Sequence, residues 1–207
     1  MRSLHIVVMA AVLSVATAHA QISVGGSVGY LDRRLSVQGA VEHQAGMVAG
    51  ADIEFHSKVM RLSVSGGGGN LAAQTAVTPD VEYGRLSGDL AVVPTPWFAL
   101  SGGVSVAAFV SDIGAQRWVL PRLGAELRPT FSSIPAEAYT RGAIIIGATT
   151  NSPVEPSGGL SAKGGLLVGG GRFQFFIDYQ IERLNFESST GRQEQRGEIG
   201  TGLLVRF

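Results

Sequence analysis

The chain has 207 residues, 29 of them Gly and none Cys, with 16 basic and 16 acidic side chains. That length suits one domain, and a hydrophobic share of 45% excludes a disordered polar chain. Zero net charge removes the electrostatic footprint of a nucleic-acid binder, and the missing thiols exclude disulfides, thiol nucleophiles and thiolate metal sites.

Residues 1–20 read as a secretory signal peptide. Arg2 supplies the basic start, Ile6 to Val15 the apolar stretch, and Ala18-His19-Ala20 the small-x-small cleavage site before Gln21. No later stretch reaches 18 uninterrupted apolar residues, so no transmembrane helix is expected in the mature chain, 21–207. Glycine at twice the usual share further disfavours helices.

From Gln21 onward apolar residues recur at a period of two, which places them on one face of a strand. The predicted strands are 22–30, 46–55, 59–66, 81–92, 97–110, 118–128, 136–148, 159–168, 173–182 and 196–207. In 22–30, Ile22, Val24, Val28 and Tyr30 oppose Ser23, Gly25, Ser27 and Gly29. In 173–182, Phe173, Phe175, Ile177, Tyr179 and Ile181 oppose Gln174, Phe176, Asp178, Gln180 and Glu182. The odd gaps (31–45, 67–80, 111–117, 149–158, 185–195) are longer and polar; the even gaps (56–58, 93–96, 129–135, 169–172) are short and rich in turn residues. Alternating long and short connections describe an up-and-down meander, and an even strand count returns both termini to one side. Pro121 falls inside a predicted strand, where a rim or bulge tolerates it.

Which face is dry decides the class. The polar faces are crowded with Gly, Ser and Ala beside the charges, as suits the inside of a narrow closed barrel. The other faces carry Leu, Val, Ile and Phe for about ten residues, which at about 3.3 Å rise and about 40° tilt reach about 25 Å, the height of a lipid-facing band. Aromatics gather at predicted strand ends: Phe55, Trp97, Phe98, Phe173 and Phe207 at the short-turn end, Tyr30, Tyr83, Trp118 and Phe186 at the loop end. Two such girdles are expected where strands cross two membrane interfaces. The expected fold is therefore all-β, a closed antiparallel up-and-down transmembrane β-barrel of ten strands, with eight as the alternative.

The exported, alternating, Gly-rich body and the ending Gly202-Leu203-Leu204-Val205-Arg206-Phe207 resemble small bacterial outer-membrane β-barrel proteins of the OmpA/OmpX-like class. The resemblance covers 21–207 and implies residence in the cell outer membrane. It also implies that Gly202, Val205 and Phe207 form the assembly signal read by the barrel-assembly machinery. The commonest members have eight strands, whereas the gaps here favour ten; segment 35–43 fits an extension of the first hairpin above the membrane.

Charges on the inward faces comprise seven acids (Asp52, Glu54, Asp89, Glu126, Asp178, Glu182, Glu198) and seven bases (Arg61, Arg85, Arg122, Arg128, Arg141, Lys163, Arg206). A balanced set can pair into a network filling the lumen, whereas a dedicated ion pore would show an excess of one sign. No catalytic, cofactor or metal constellation stands out. His56 and Ser57 are adjacent, so in a strand they point to opposite faces, and His43 reads as a solvated loop residue. Gly66-Gly67-Gly68-Gly69 lacks the Lys-Ser/Thr of a phosphate loop and reads as a flexible exit from a strand, and Asp80 with Glu82 is too sparse for calcium. The expected role is non-enzymatic: a structural or surface-interacting barrel, surrounded by outer-membrane lipid, without nucleic-acid partners, meeting any extracellular partner through its loops. The alternatives are a narrow porin-like channel and a lipid-modifying enzyme.

Overall fold

A computed structural model describes residues 21–75, 78–112, 114–131, 133–152, 154–187 and 191–207. The expected signal peptide, 1–20, lies outside the described residues. Eleven strands form, all antiparallel: β1 (Gln21–Val37), β2 (Ala40–His56), β3 (Met60–Ala73), β4 (Val81–Thr95), β5 (Phe98–Ser111), β6 (Gly114–Leu127), β7 (Ala136–Ile145), β8 (Thr149–Thr150), β9 (Pro156–Val168), β10 (Phe173–Phe186) and β11 (Arg192–Arg206). β1 pairs with both β2 and β11, so the sheet closes on itself. The two-residue β8 pairs with β6 where β7 has stopped, making ten staves and one short extra strand. The described residues contain no helix.

Pro121 explains the interruption. On its far side β7 ends at Ile145 opposite Arg122, and β8 resumes at Thr149 opposite Val119. Between them Gly147 turns at φ 59°, and the Ile146 N–H donates to the Pro121 carbonyl at 3.1 Å. Proline has no N–H to return, so the ladder cannot run straight through that position.

Alternation reads directly as facing. Along β10 exposed and buried residues alternate from Phe173 onward: Phe175 is 65% exposed and its neighbour Phe176 9%. The same phase leaves Val24, Val28, Met47, Leu86, Leu100, Leu123 and Leu160 exposed around the circumference. A belt of this extent far exceeds the few-hundred-Å² patch a soluble monomer shows. At the end that carries Gln21 and Phe207, hereafter the near end, exposed Phe55, Trp97, Phe173 and Phe207 edge the belt.

The far end departs from expectation in three ways. First, 31–45 is no loop but the extension of the first hairpin that segment 35–43 suggested: β1 and β2 run on to a two-residue turn at Gln38 (φ 50°) and Gly39 (φ 89°), a hairpin geometry with both central residues left-handed. β5 and β6 likewise meet across only 112–113, while the near-end connection 128–135 is longer. Asymmetry therefore lies in how far the strands project, more than in loop length. Second, Gly66–Gly69 is no exit but part of β3, paired with both neighbours. A Cβ at Gly69 would sit 2.1 Å from the Met47 carbonyl oxygen, so β2 approaches too closely for any side chain. Third, Tyr83, Trp118 and Phe186 do not edge the belt. They point inward and are buried, leaving exposed Tyr30 and Tyr179, both opposite Ile199, as its far-end aromatics.

Candidate functional site

The lumen has two layers built from one inward phase. Twelve of the fourteen anticipated charges line the near-half cavity; Glu198 lies above it, and Glu182 higher still, beside Arg196. Arg61 lies between Glu126, which it contacts closely, and Glu54 at 3.5 Å. Arg128 contacts Glu126 closely and reaches Glu54 at 3.8 Å and Glu137 at 3.4 Å. Arg122 and Arg141 share Asp89, at 3.0 and 2.7 Å, and Arg141 also donates to the Ser101 hydroxyl at 3.1 Å. Lys163 stands 2.9 Å from Asp178, which also accepts from the Tyr139 hydroxyl at 2.6 Å. Glu182 pairs upward with Arg196 at 3.0 Å.

Four of the fourteen make no ion pair among the described residues: Asp52, Arg85, Glu198 and Arg206. The first three lie at mid-lumen and Arg206 at the near end, opposite Ser23. Two adjoining cavities, about 190 Å³ in the near half and about 110 Å³ above it, share Asp52, Arg85, Lys163 and Asp178 in their walls.

The far half is filled differently. Leu31, Leu71, Trp118, Leu120 and Leu184 are at most 2% exposed and pack with Val48, Phe109, Ile145 and Phe186 into one apolar cluster inside the barrel. Through it runs an ionic chain. Arg33 donates to Glu194 at 2.9 Å, Gln44 at 2.7 Å and Gln116 at 2.8 Å. Arg196 donates to the same Glu194 oxygen at 2.8 and 3.0 Å and to Glu182 at 3.0 Å. The Phe109 ring lies under both guanidiniums, 4.0 Å from Arg33 and 4.8 Å from Arg196. Arg192 stacks on Phe186 at 4.5 Å. Burial alone would push the Glu194 carboxyl up, but Arg33 and Arg196 outweigh it and hold it at about 2. Their aromatic and carboxylate partners let these cations sit in an otherwise dry region.

Sequence reading did not identify Arg33, Glu137, Arg192, Glu194 and Arg196, nor the inward Trp118 and Phe186. The signal is phase: Leu184 and Phe186 continue the even phase of Asp178 and Glu182, and Trp118 that of Arg122 and Glu126. Above the belt the alternation inverts. Leu31 and Leu35 turn inward while Asp32 and Arg34 turn outward, because water replaces hydrocarbon outside.

The residues weighed for catalysis have other engagements. His43 lies in β2, not in a loop, with Nε2 2.7 Å from Asp32, which also accepts from Arg34 at 2.9 Å. Partial burial opposes ionisation of Asp32, but His43 and Arg34 together hold its carboxyl below the usual range. His56 lies 3.8 Å from Glu54, while the Ser57 hydroxyl accepts from the Met60 N–H at 3.0 Å and caps the turn. Asp80 accepts from the Ala73 N–H at 2.7 Å. Among the described residues no three His, Asp or Glu side chains are grouped to hold a metal.

No family model matches the chain, and no curated protein sequence does either. Solved structures do. The outer membrane protease OmpT from Escherichia coli superposes with a TM-score of 0.59 at 10% identity, over 91% of this chain and 96% of that one. The translocator domain of autotransporter NalP from Neisseria meningitidis gives 0.52 at 11% identity, over 100% and 97%. Identities this low carry the fold alone: the chain is a closed ten-stranded barrel built like those of bacterial outer-membrane proteins.

Proposed function

We propose that this chain is an integral outer-membrane barrel with a structural or surface-interacting role, non-enzymatic, whose lumen does not conduct. The observation that carries the closed lumen is the far-half plug, where Leu71, Trp118, Leu120 and Glu194 each have 0% exposure. The exposed apolar belt and the barrel fold shared with outer-membrane proteins support insertion in that membrane. With the near end periplasmic, Val205 and Phe207 share the outward phase of the last strand and Gly202 the inward one, against the Phe176 ring; the resemblance makes these three the signal for the barrel-assembly machinery. The projecting strands and turns of the far end, the β1–β2 tip among them, are then the surface offered to an extracellular partner.

In planar bilayers the purified barrel gives no steady channels, whereas Trp118→Ala, which removes the largest fully buried side chain of the plug, gives measurable current. Steady unitary conductance from the unaltered protein would establish the narrow-channel reading. OmpT is named a protease, and an enzymatic reading would be established by a hydrolase activity lost on His43→Ala or His56→Ala.

A further inference from the structure

We propose that the near-half lumen is a binding vestibule for one small soluble oxyanion of the phosphate class, centred on Arg85. The proposal rests on the closed-lumen reading, because a plugged far half makes the cavity a dead end.

Every side-chain partner of Arg85 is neutral. Its Nε donates to the Ser87 and Ser105 hydroxyls, both at 3.2 Å, and with the Gln180 amide oxygen turned toward it both terminal nitrogens donate there at 3.0 Å. The Tyr83 hydroxyl lies beside it. These groups fix the planar guanidinium, and Glu182 and Glu198 act on its charge from beyond ion-pair distance. At the same depth the outward neighbour Leu86 is 58% exposed in the middle of the apolar belt, so the cation sits inside a low-dielectric slab. A guanidinium held there with no carboxylate in contact favours an anion brought against it.

No carboxylate of the surrounding walls makes an ion pair with Arg85 among the described residues. The cavity of about 190 Å³ is lined by seven cationic side chains and five carboxylates. Four of those carboxylates are engaged: Glu54, Asp89, Glu126 and Asp178 each contact at least one other cation. Glu137 adds a sixth acid behind Arg128. Arg206, on the near-end side of the same cavity, has no ion pair or hydrogen bond from its side chain among the described residues, and the buried Arg122 Nε likewise has no partner. Asp52, and Glu198 in the adjoining cavity, are the lumen carboxylates without an ion pair among the described residues, and both compete with an incoming anion for Arg85. At roughly 10–15 Å³ per water, the space holds on the order of ten waters, ample for a tetrahedral oxyanion that keeps part of its hydration. Arginine suits such a guest because its terminal N–H groups match two oxygens of one anion.

The same chemistry is offered by a lipid phosphate, but the continuous ladder of the closed barrel separates the lumen from lipid. The test is calorimetric titration of inorganic phosphate, at constant ionic strength, into the full barrel in a neutral detergent. We expect one saturable site per barrel. Arg85→Gln should weaken it at least tenfold, Asp52→Asn should strengthen it severalfold, and Arg34→Gln on the outer surface should leave it unchanged. Phosphatidylglycerol added to the micelles should not compete. No saturable uptake, competition by the lipid, or affinities unmoved by both lumen variants would overturn the proposal. If Arg85→Gln fails to fold, the direction of the Asp52→Asn effect decides. Conductance of the same preparation separates the two readings: steady channels with phosphate binding intact refute the closed lumen and support the site.

Discussion

Glu194 concentrates the far-half energetics in one carboxylate. It is fully buried, accepts from Arg33 and Arg196, and has its pKa held at about 2 against an ordinary 4.5. A carboxyl depressed on folding stabilises the folded state above its ordinary pKa, and that contribution is lost as pH falls through the folded value. The heat-induced mobility transition of the barrel in detergent should therefore move to lower temperature between about pH 4.5 and 2. In Glu194→Gln that acid dependence should shrink, and the variant should be less stable at neutral pH by about 3–5 kcal/mol, because two guanidiniums lose their shared anion. An unchanged acid profile in the variant would show that other carboxylates carry the effect. Glycines make a second prediction at this scale. Gly69→Ala brings a methyl within 2.1 Å of a backbone oxygen and should cost about 1–3 kcal/mol in urea unfolding. Gly84→Ala meets nothing within 4 Å and should cost nothing measurable.

Among elements, the strands were legible wherever lipid-sized and small residues alternate without interruption. β10 reads cleanly because five large apolar residues stand against Gln174, Asp178, Gln180 and Glu182. Pro121 marked an irregularity that proved to lie in the partner strand, between β7 and β8. What escaped was the far end of each strand. Period-two patterning reports that two faces differ, and it does not say which face is wet once the strand leaves the hydrocarbon. Asp32 and Arg34 therefore looked like the start of a loop, although the backbone continues paired to Val37. Aromatic position misleads for the same reason. Trp118 stands near a strand end as a girdle residue would, but it shares the phase of Arg122 and so fills the interior. The near-half charges were assignable one by one, since each is in phase with small residues. Their partners were not, because pairing crosses the lumen: Arg61 meets Glu126, 65 positions away.

For the whole molecule, two environments are stacked along one barrel axis. Outside, a belt of Leu, Val, Ile and Phe runs around all ten staves; inside, a charged half with two cavities abuts an apolar half stitched by Arg33, Glu194 and Arg196. A soluble barrel would bury the belt, and an open channel would have no use for Trp118 and Leu120 across its bore. The belt is thus the premise on which location, orientation and the isolation of the lumen all depend. It is best tested along β10, and a chain without Cys allows single cysteines to be introduced without background. Each position from 173 to 182 would carry a fluorescent label in barrels reconstituted with brominated lipid. Strong quenching at 173, 175, 177, 179 and 181, with little at the positions between, is the predicted result. Quenching at 174, 176, 178, 180 and 182 instead, or at none of the ten, would contradict the membrane-embedded barrel.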